Sequence, residues 1–426
     1  MSTDTARFPR SSPYWPVVSH PLLRRVLPGL AVSALGDGMA VVAVTWLAIQ
    51  LAPHSQRGTW IAVAVAAYTL PSAAGTIVFG RLLAGRSGAQ IAGWDAILRA
   101  TALAAIPVAY LADVLTIGLY VTLLAASALL HSWGVAGRFT LIVELLPQRH
   151  HLPANALLMT IGGSATIIGP PLAGILISGA GPVWVIAIDA ATFAVLAVTY
   201  RLAVPTTIGT ARTERAASRT AGFAAIGRDP ALLGLLGLSL GFFFIFGPVY
   251  VAMPIHIVDD LNASATLLGA YYTAFGIGGV LGGLVTGHLR HWPLWTTTIG
   301  IVIGFGVAML PLGLGVPIGV SLPAFALAGL IWAPYRATSM ALIQRGTSTT
   351  QLPAVLAAYG AITVLAVPLG TMLGGPLVGL LGARPTLLLS GGATVALGLL
   401  AGGLALLRRR PGSVPAVSDP ATVSSE

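Results

Sequence analysis

Two stretches decide how this chain folds: "IIGPPLAGIL" at residues 167–176 and "MLGGPLVGLL" at residues 372–381. Gly169, Pro171, Leu172, Gly174 and Leu176 of the first recur as Gly374, Pro376, Leu377, Gly379 and Leu381 of the second. Glycine and proline weaken or kink helices, yet apolar sequence flanks both strings. Such breaks are tolerated in a membrane where neighbours or a cavity satisfy the freed backbone, and small residues let helices approach closely. The repeat therefore reads as two symmetry-related helices that pack tightly and bend as the protein changes shape. Close packing alone is the plainer account.

Composition fixes the solvent. Of 426 residues 56% are hydrophobic and 8% charged, and the mean hydropathy is +0.89. Soluble domains carry about a quarter of their residues as charges. Apolar runs of about 20 residues, enough to span a bilayer as helices, recur throughout. The first run is too long for a signal-peptide core and reads as a retained span. With no cysteine, disulfides and cysteine-ligated metals are excluded. A net charge of +10 would suggest nucleic acid in a soluble protein. Here the arginines lie between apolar runs, where they set membrane orientation.

Twelve runs are predicted, at 24–51, 59–83, 91–112, 116–141, 153–178, 182–204, 230–256, 265–289, 293–314, 320–343, 354–381 and 385–407. They divide the chain into a tail (1–23), a six-helix bundle (24–204), a polar linker read as flexible (205–229), a second six-helix bundle (230–407) and a Pro/Ser/Val-rich tail read as disordered (408–426). Arg7, Arg10, Arg24, Arg25, Arg81, Arg86, Arg149, Arg290 and Arg345 mark one side, with the linker and the last tail. Arg57 and Arg384 stand alone on the other with Asp113, Asp259 and Asp260. This bias predicts a multi-pass protein of the inner (cytoplasmic) membrane with both termini in the cytoplasm.

The halves echo one another further. "YTLPSAAG" from Tyr68 matches "YTAFGIGG" from Tyr272, and Trp133, Arg138 and "LPA" at 152–154 return as Trp332, Arg336 and "LPA" at 352–354. Parallel six-span repeats describe the major facilitator architecture, so the expected fold class is all-α: twelve transmembrane helices in two pseudo-symmetric six-helix bundles.

The residues also resemble a narrower group. Ser33, Gly36, Asp37, Trp46 and Leu47 in "SALGDGMAVVAVTWL", Asp95 and Arg99 in "DAILRA", and the segment from Arg138 through Pro147 to Asn155 are similar to the macrolide-efflux and enterobactin-exporter branch of the major facilitators. "GPPLAG" (Gly169, Pro170, Pro171, Gly174) resembles that family's antiporter motif. The resemblance implies a secondary exporter working as a monomer on a small molecule and protons. The cytoplasmic signature departs from the pattern in "GRLLAGRSGAQ": Arg86 and Gly88 remain, but Gly85 replaces the acidic residue. Asp95 and Arg99, one helical turn apart, are expected to form an ion pair at that gate with Arg86 nearby.

Ionisable groups inside a membrane are costly and therefore functional candidates. Asp37 lies roughly 18 Å beyond the first arginines at 1.5 Å per residue. It reads as a proton-coupling or substrate-binding carboxylate, or as a packing residue. Arg138 is read equally as its partner in proton coupling and as snorkelling to the inner surface; snorkelling is favoured for Arg336. Asp189 has no partner visible in sequence. Trp46, Tyr68, Phe243, Phe246, Tyr250, Tyr272 and Trp332 are candidates for a drug-sized cavity. No metal spacing, phosphate loop or ATP motif is found, and no cofactor is expected beyond a proton gradient as energy source. The sequence thus predicts proton-driven efflux of an apolar or amphipathic compound. A facilitator or uptake carrier is the alternative; a membrane enzyme or sensor finds no support.

Overall fold

The computed structural model describes residues 12, 14–79, 83, 86–203, 219–286, 292–348 and 351–408. In lipid the backbone must satisfy its own hydrogen bonds, which makes each apolar run a helix. The spans are α1 (Leu23–Leu51), α2 (Arg57–Thr69 and Pro71–Val78), α3 (Gly88–Leu111), α4 (Ile117–Ala128 and His131–Leu145), α5 (His151–Ala180) and α6 (Pro182–Ala203). The second half holds α7 (Pro230–Phe246 and Val249–Ile255), α8 (Ala265–Thr286), α9 (Leu294–Gly313), α10 (Ile318–Trp332 and Pro334–Gly346), α11 (Leu352–Leu381) and α12 (Ala383–Arg408). Eleven of these are individually long and apolar enough to cross a membrane. The other, α2, is divided where Pro71 cannot donate a backbone hydrogen bond.

The opening strings do not break their helices. Pro170 and Pro171 lie inside a continuous α5, and Pro376 inside a continuous α11. Breaks fall instead in α2, α4, α7 and α10. At the α7 break the Gly247 carbonyl accepts from the Tyr250 amide, three residues on, at 3.1 Å, and the Thr371 hydroxyl of α11 lies 3.1 Å from it. A side-chain cap starts α7: Asp229 Oδ1 accepts from the Ala231 amide at 2.7 Å, as the exposed first turn of a helix requires.

In the first half α6 packs against α3 and α1, and α5 against α1; in the second, α12 packs against α9 and α10 against α8. The halves meet through α5 with α8 and α2 with α11. Close approach at both seams depends on glycine. A Cβ at Gly174 would lie 2.8 Å from the Thr266 Cα, and one at Gly375 would lie 2.8 Å from the Thr59 Cα. Gly276 similarly faces Ile167. The Gly174 and Gly375 approaches lie toward the distal end, away from Leu23 and Arg408, and that of Gly276 lies at the middle of its helix. At the distal end Arg57 Nη1 also donates to Asp259 Oδ1 at 3.0 Å, and Arg384 lies 3.6 Å from Asp260.

One expectation is corrected. Part of the segment read as flexible linker is helical: Arg219–Arg228 folds and lies on α11, with Gly222 against the Ala354 backbone. Its sequence is polar, but tertiary contact with α11 overrides that weak local preference. Residues 204–218, the tail beyond Arg408, and Gly80, Arg81 and Gly85 of the signature fall outside the described residues.

Candidate functional site

Four spans of the first half bring polar groups to one level of the membrane. Asp37 lies at the midpoint of α1 and Arg99 at the midpoint of α3. Arg99 Nη2 donates to Asp37 Oδ1 at 2.5 Å and to the Tyr68 hydroxyl oxygen at 2.5 Å. The Tyr68 hydroxyl, from α2, donates to the same Asp37 oxygen at 3.1 Å. The other arm, Nη1, meets His131 Nδ1 of α4 at 2.6 Å. A guanidinium only donates, so this ring nitrogen accepts and His131 is neutral in this arrangement.

Arg99 is 2% exposed, and its guanidinium carbon stands 4.3 Å from the centroid of Phe193 on α6. Aromatic faces attract such cations, more so when desolvated. A buried charge of this kind persists only when paired and hydrogen-bonded, and Asp37 supplies the counter-charge. The Asp37 side chain is itself 28% exposed, whereas Asp95 and Asp189 are each 1% exposed. Of the three carboxylates, Asp37 is the one accessible from outside the protein core.

Two expected pairings are corrected. Arg138 is not bonded to Asp37: it lines a small apolar pocket with Leu30, Leu141 and Leu158, and its Nε has no hydrogen-bond partner. The reason is depth. Arg138 lies in the last turns of α4, whereas Arg99 shares the level of Asp37. Nor do Asp95 and Arg99 bond to each other. Arg99 is drawn to Asp37, and both Asp95 oxygens lack hydrogen-bond partners where the side chain presses on Gly134. Arg86 is exposed and stacks on Trp94 at 5.2 Å instead of joining Asp95. Asp189, also without partners for either oxygen, packs beside Gly36. Arg336 is exposed at its place on α10.

The second half contributes rings. Phe246 contacts Tyr250 at 5.4 Å and Phe275 at 6.3 Å between centroids. Tyr250 stacks on Tyr272 at 6.4 Å, and Phe275 meets Trp332 at 5.8 Å. Phe243 packs edge-on to Tyr335 at 5.8 Å. Five predicted cavity residues thus join one aromatic network. Trp46 lies apart, half-buried against the core of the first half, and Tyr68 belongs to the charge cluster. The sequence reading missed Phe275 and His131. Phe275 sits one turn beyond Tyr272 on α8, a spacing that points to it; His131 carries no comparable local signal.

Paired six-helix bundles enclosing ionised groups are the frame of a secondary transporter. The chain belongs to the Major Facilitator Superfamily, whose family model matches residues 26–367; members of that family are transporters, not enzymes. It is 25% identical over 404 residues to the multidrug efflux pump Tap of Mycolicibacterium fortuitum, covering 91% of this chain and 96% of that protein. It is also 27% identical over 270 residues to the uncharacterized MFS-type transporter y4rN of Sinorhizobium fredii, a match spanning 58% of this chain and 62% of that protein. Among solved structures, it resembles a bacterial homologue of the lysosomal transporter Spinster in an inward-facing, unoccupied conformation, with TM-score 0.68, 13% identity, and coverage of 93% of this chain and 99% of that one. A bacterial homologue of the iron transporter ferroportin, inward-facing, gives TM-score 0.67 at 16% identity over 90% of this chain and 98% of that one.

Proposed function

We propose that this transporter exports a small apolar or amphipathic compound in exchange for protons. The observation that carries the reading is the Asp37–Arg99–Tyr68 cluster. It is a half-accessible carboxylate in mid-membrane, held by a buried cation that cannot lose its own proton. Protonating Asp37 cancels the charge that neutralises Arg99, so proton occupancy and the packing of α1, α2 and α3 are linked. Intramembrane carboxylates of this kind mark proton pathways in pumps and transporters. The likeness to Tap along nearly the whole chain supports the outward direction, and the aromatic network of the second half supports an apolar cargo.

In this reading the termini face the cytoplasm, and the glycine seams at the distal end keep the outer side shut. Rocking of the halves about a central site opens that side, where Asp37 takes a proton and cargo leaves. The proton is lost inward when the halves rock back. One proton moving down 100 mV supplies about 2.3 kcal/mol, enough for tens-fold accumulation at one-to-one exchange. The protein acts as a monomer in the inner membrane, with no ATP-binding subunit.

The test is uptake of dyes and antibiotics into inverted vesicles under an imposed pH gradient, wild type against Asp37→Asn. Gradient-dependent accumulation that the variant loses, while still folded, supports the reading. Accumulation at the wild-type rate in the variant removes Asp37 from coupling. Movement of every compound without regard to the gradient points to a facilitator or uptake carrier.

A further inference from the structure

Asp189 is an enclosed carboxylate that the proposed cycle does not use. Its residue is 1% exposed, and neither oxygen has a hydrogen-bond partner. It stands on α6 one turn before Phe193, whose ring receives the Arg99 guanidinium at 4.3 Å. Its Oδ1 presses on Gly36, the residue before Asp37. Arg99 therefore lies between a carboxylate of α1 that it binds and one of α6 that it does not.

The charged surroundings of Asp189 are few. α1 presents Asp37, and α3 presents Arg99, with Asp95 one turn earlier; α5 carries no ionisable side chain from Leu152 to Ala180. Tyr68 of α2 lies within electrostatic reach. On α6 itself the Thr192 hydroxyl donates to the Asp189 backbone carbonyl at 2.7 Å. Asp95 has a second cation near it in Arg138. Asp37 and Asp189 share Arg99.

One cation balances one carboxylate, and an unpaired buried carboxylate is too costly to remain ionised. We propose that Asp189 is a second proton-carrying site and the alternate partner of Arg99: it holds a proton while Arg99 pairs with Asp37, and releases that proton when Arg99 turns to it. The inference rests on the proton-antiport reading and adds to it an exchange of the guanidinium between α1 and α6. No bond forms or breaks apart from the proton transfers. When Asp37 takes a proton from the outside, Arg99 moves to Asp189 and the Asp189 proton leaves to water.

Infrared spectroscopy of the purified full chain at neutral pH tests this without any substrate, by reading the carbonyl stretch of protonated carboxyl groups. Wild type should show such a band, shifted in heavy water, and Asp189→Asn should lose the part of it that Asp95→Asn leaves. Asp37→Asn should lose that part as well, because the released Arg99 then ionises Asp189. In Arg99→Gln that part should grow about twofold, since both carboxylates then lack a cation. A band unchanged in Asp189→Asn overturns the assignment, and that part persisting in Asp37→Asn overturns the partner exchange. In Arg99→Gln a band no larger than wild type overturns the sharing, and should the variants fold poorly, a wild type with no such band at neutral pH overturns the assignment. Failure of antiport itself would show separately, as vesicle uptake that ignores the pH gradient while these bands behave as expected.

Discussion

Arg57 of α2 and Asp259 at the distal end of α7 meet at 3.0 Å across the two halves. Among the described residues this is the one ion pair joining them. It lies beside the α2–α11 seam, where Gly375 meets Thr59. Asp259 is 44% exposed, and exposed pairs contribute about 1 kcal/mol at most. Arg57→Gln should therefore raise the population of molecules open at the distal end by no more than about fivefold. Because the chain has no cysteine of its own, a single thiol at Thr59 reports that opening through its labelling rate. A large loss of folding would show that the pair does more than latch.

Removing Arg99 should be the most destabilising single change in the site. Arg99→Ala strands Asp37 and leaves a void beside Phe193; breaking a buried pair costs about 3–5 kcal/mol. Asp37→Asn should cost less, because the amide fills the same space and the released Arg99 finds a second carboxylate in Asp189. Apparent melting temperatures in detergent compare them. Equal shifts in both variants would mean that the charge of Asp37 dominates.

The duplicated strings make opposite predictions at their glycines. Gly169 lies backbone to backbone with Gly38 of α1, so Gly169→Ala drives its methyl group into the Gly38 backbone. Overpacking of this kind costs about 1–3 kcal/mol. Gly379 faces open space, so Gly379→Ala should be neutral or stabilise by about 0.5–1 kcal/mol through helix preference. Thermal unfolding of the two variants should differ in sign; matching losses would contradict the packing described.

Tyr272 has a hydroxyl without a hydrogen-bond partner and stacks on Tyr250. Tyr272→Phe should leave the melting temperature unchanged. It should weaken the apparent affinity for cargo with a polar group by about 0.5–1.5 kcal/mol, the net worth of one hydrogen bond, and spare purely apolar cargo. Uptake across a panel of dyes reads this directly. A uniform loss would assign the ring, not the hydroxyl, to recognition.

The fold was largely legible because hydropathy, arginine bias and the internal repeat all report on the same twelve spans. The breaks in α4 and α7 were not, since close helix approaches such as that of Gly247 to the Gly370 and Thr371 backbone depend on neighbours far along the chain. Within the site, Asp37 was identified by its depth. The same reasoning applied to Arg99, at the midpoint of α3, would have chosen it over Arg138; the repeat match to Arg336 drew attention to the wrong arginine. Tyr68 was read as a cavity ring because its hydroxyl bonds to residues 31 positions away in both directions. The seams between halves explain the opening strings in part. Gly174 serves α8, while the corresponding Gly379 serves nothing, and the approach to α2 is made by Gly375 in its place.

The buried carboxylates and the buried guanidinium all stand in the first half, and the ring network stands in the second. Inheritance can act on the two separately. In the proposed mechanism, a substitution among Phe246, Tyr250, Tyr272 and Phe275 changes what fits without disturbing the ions, so the repertoire of such a chain can drift while its power source stays constant. Chimaeras that keep α1–α6 and borrow α7–α12 from a relative would inherit one parent's appetite and the other's engine.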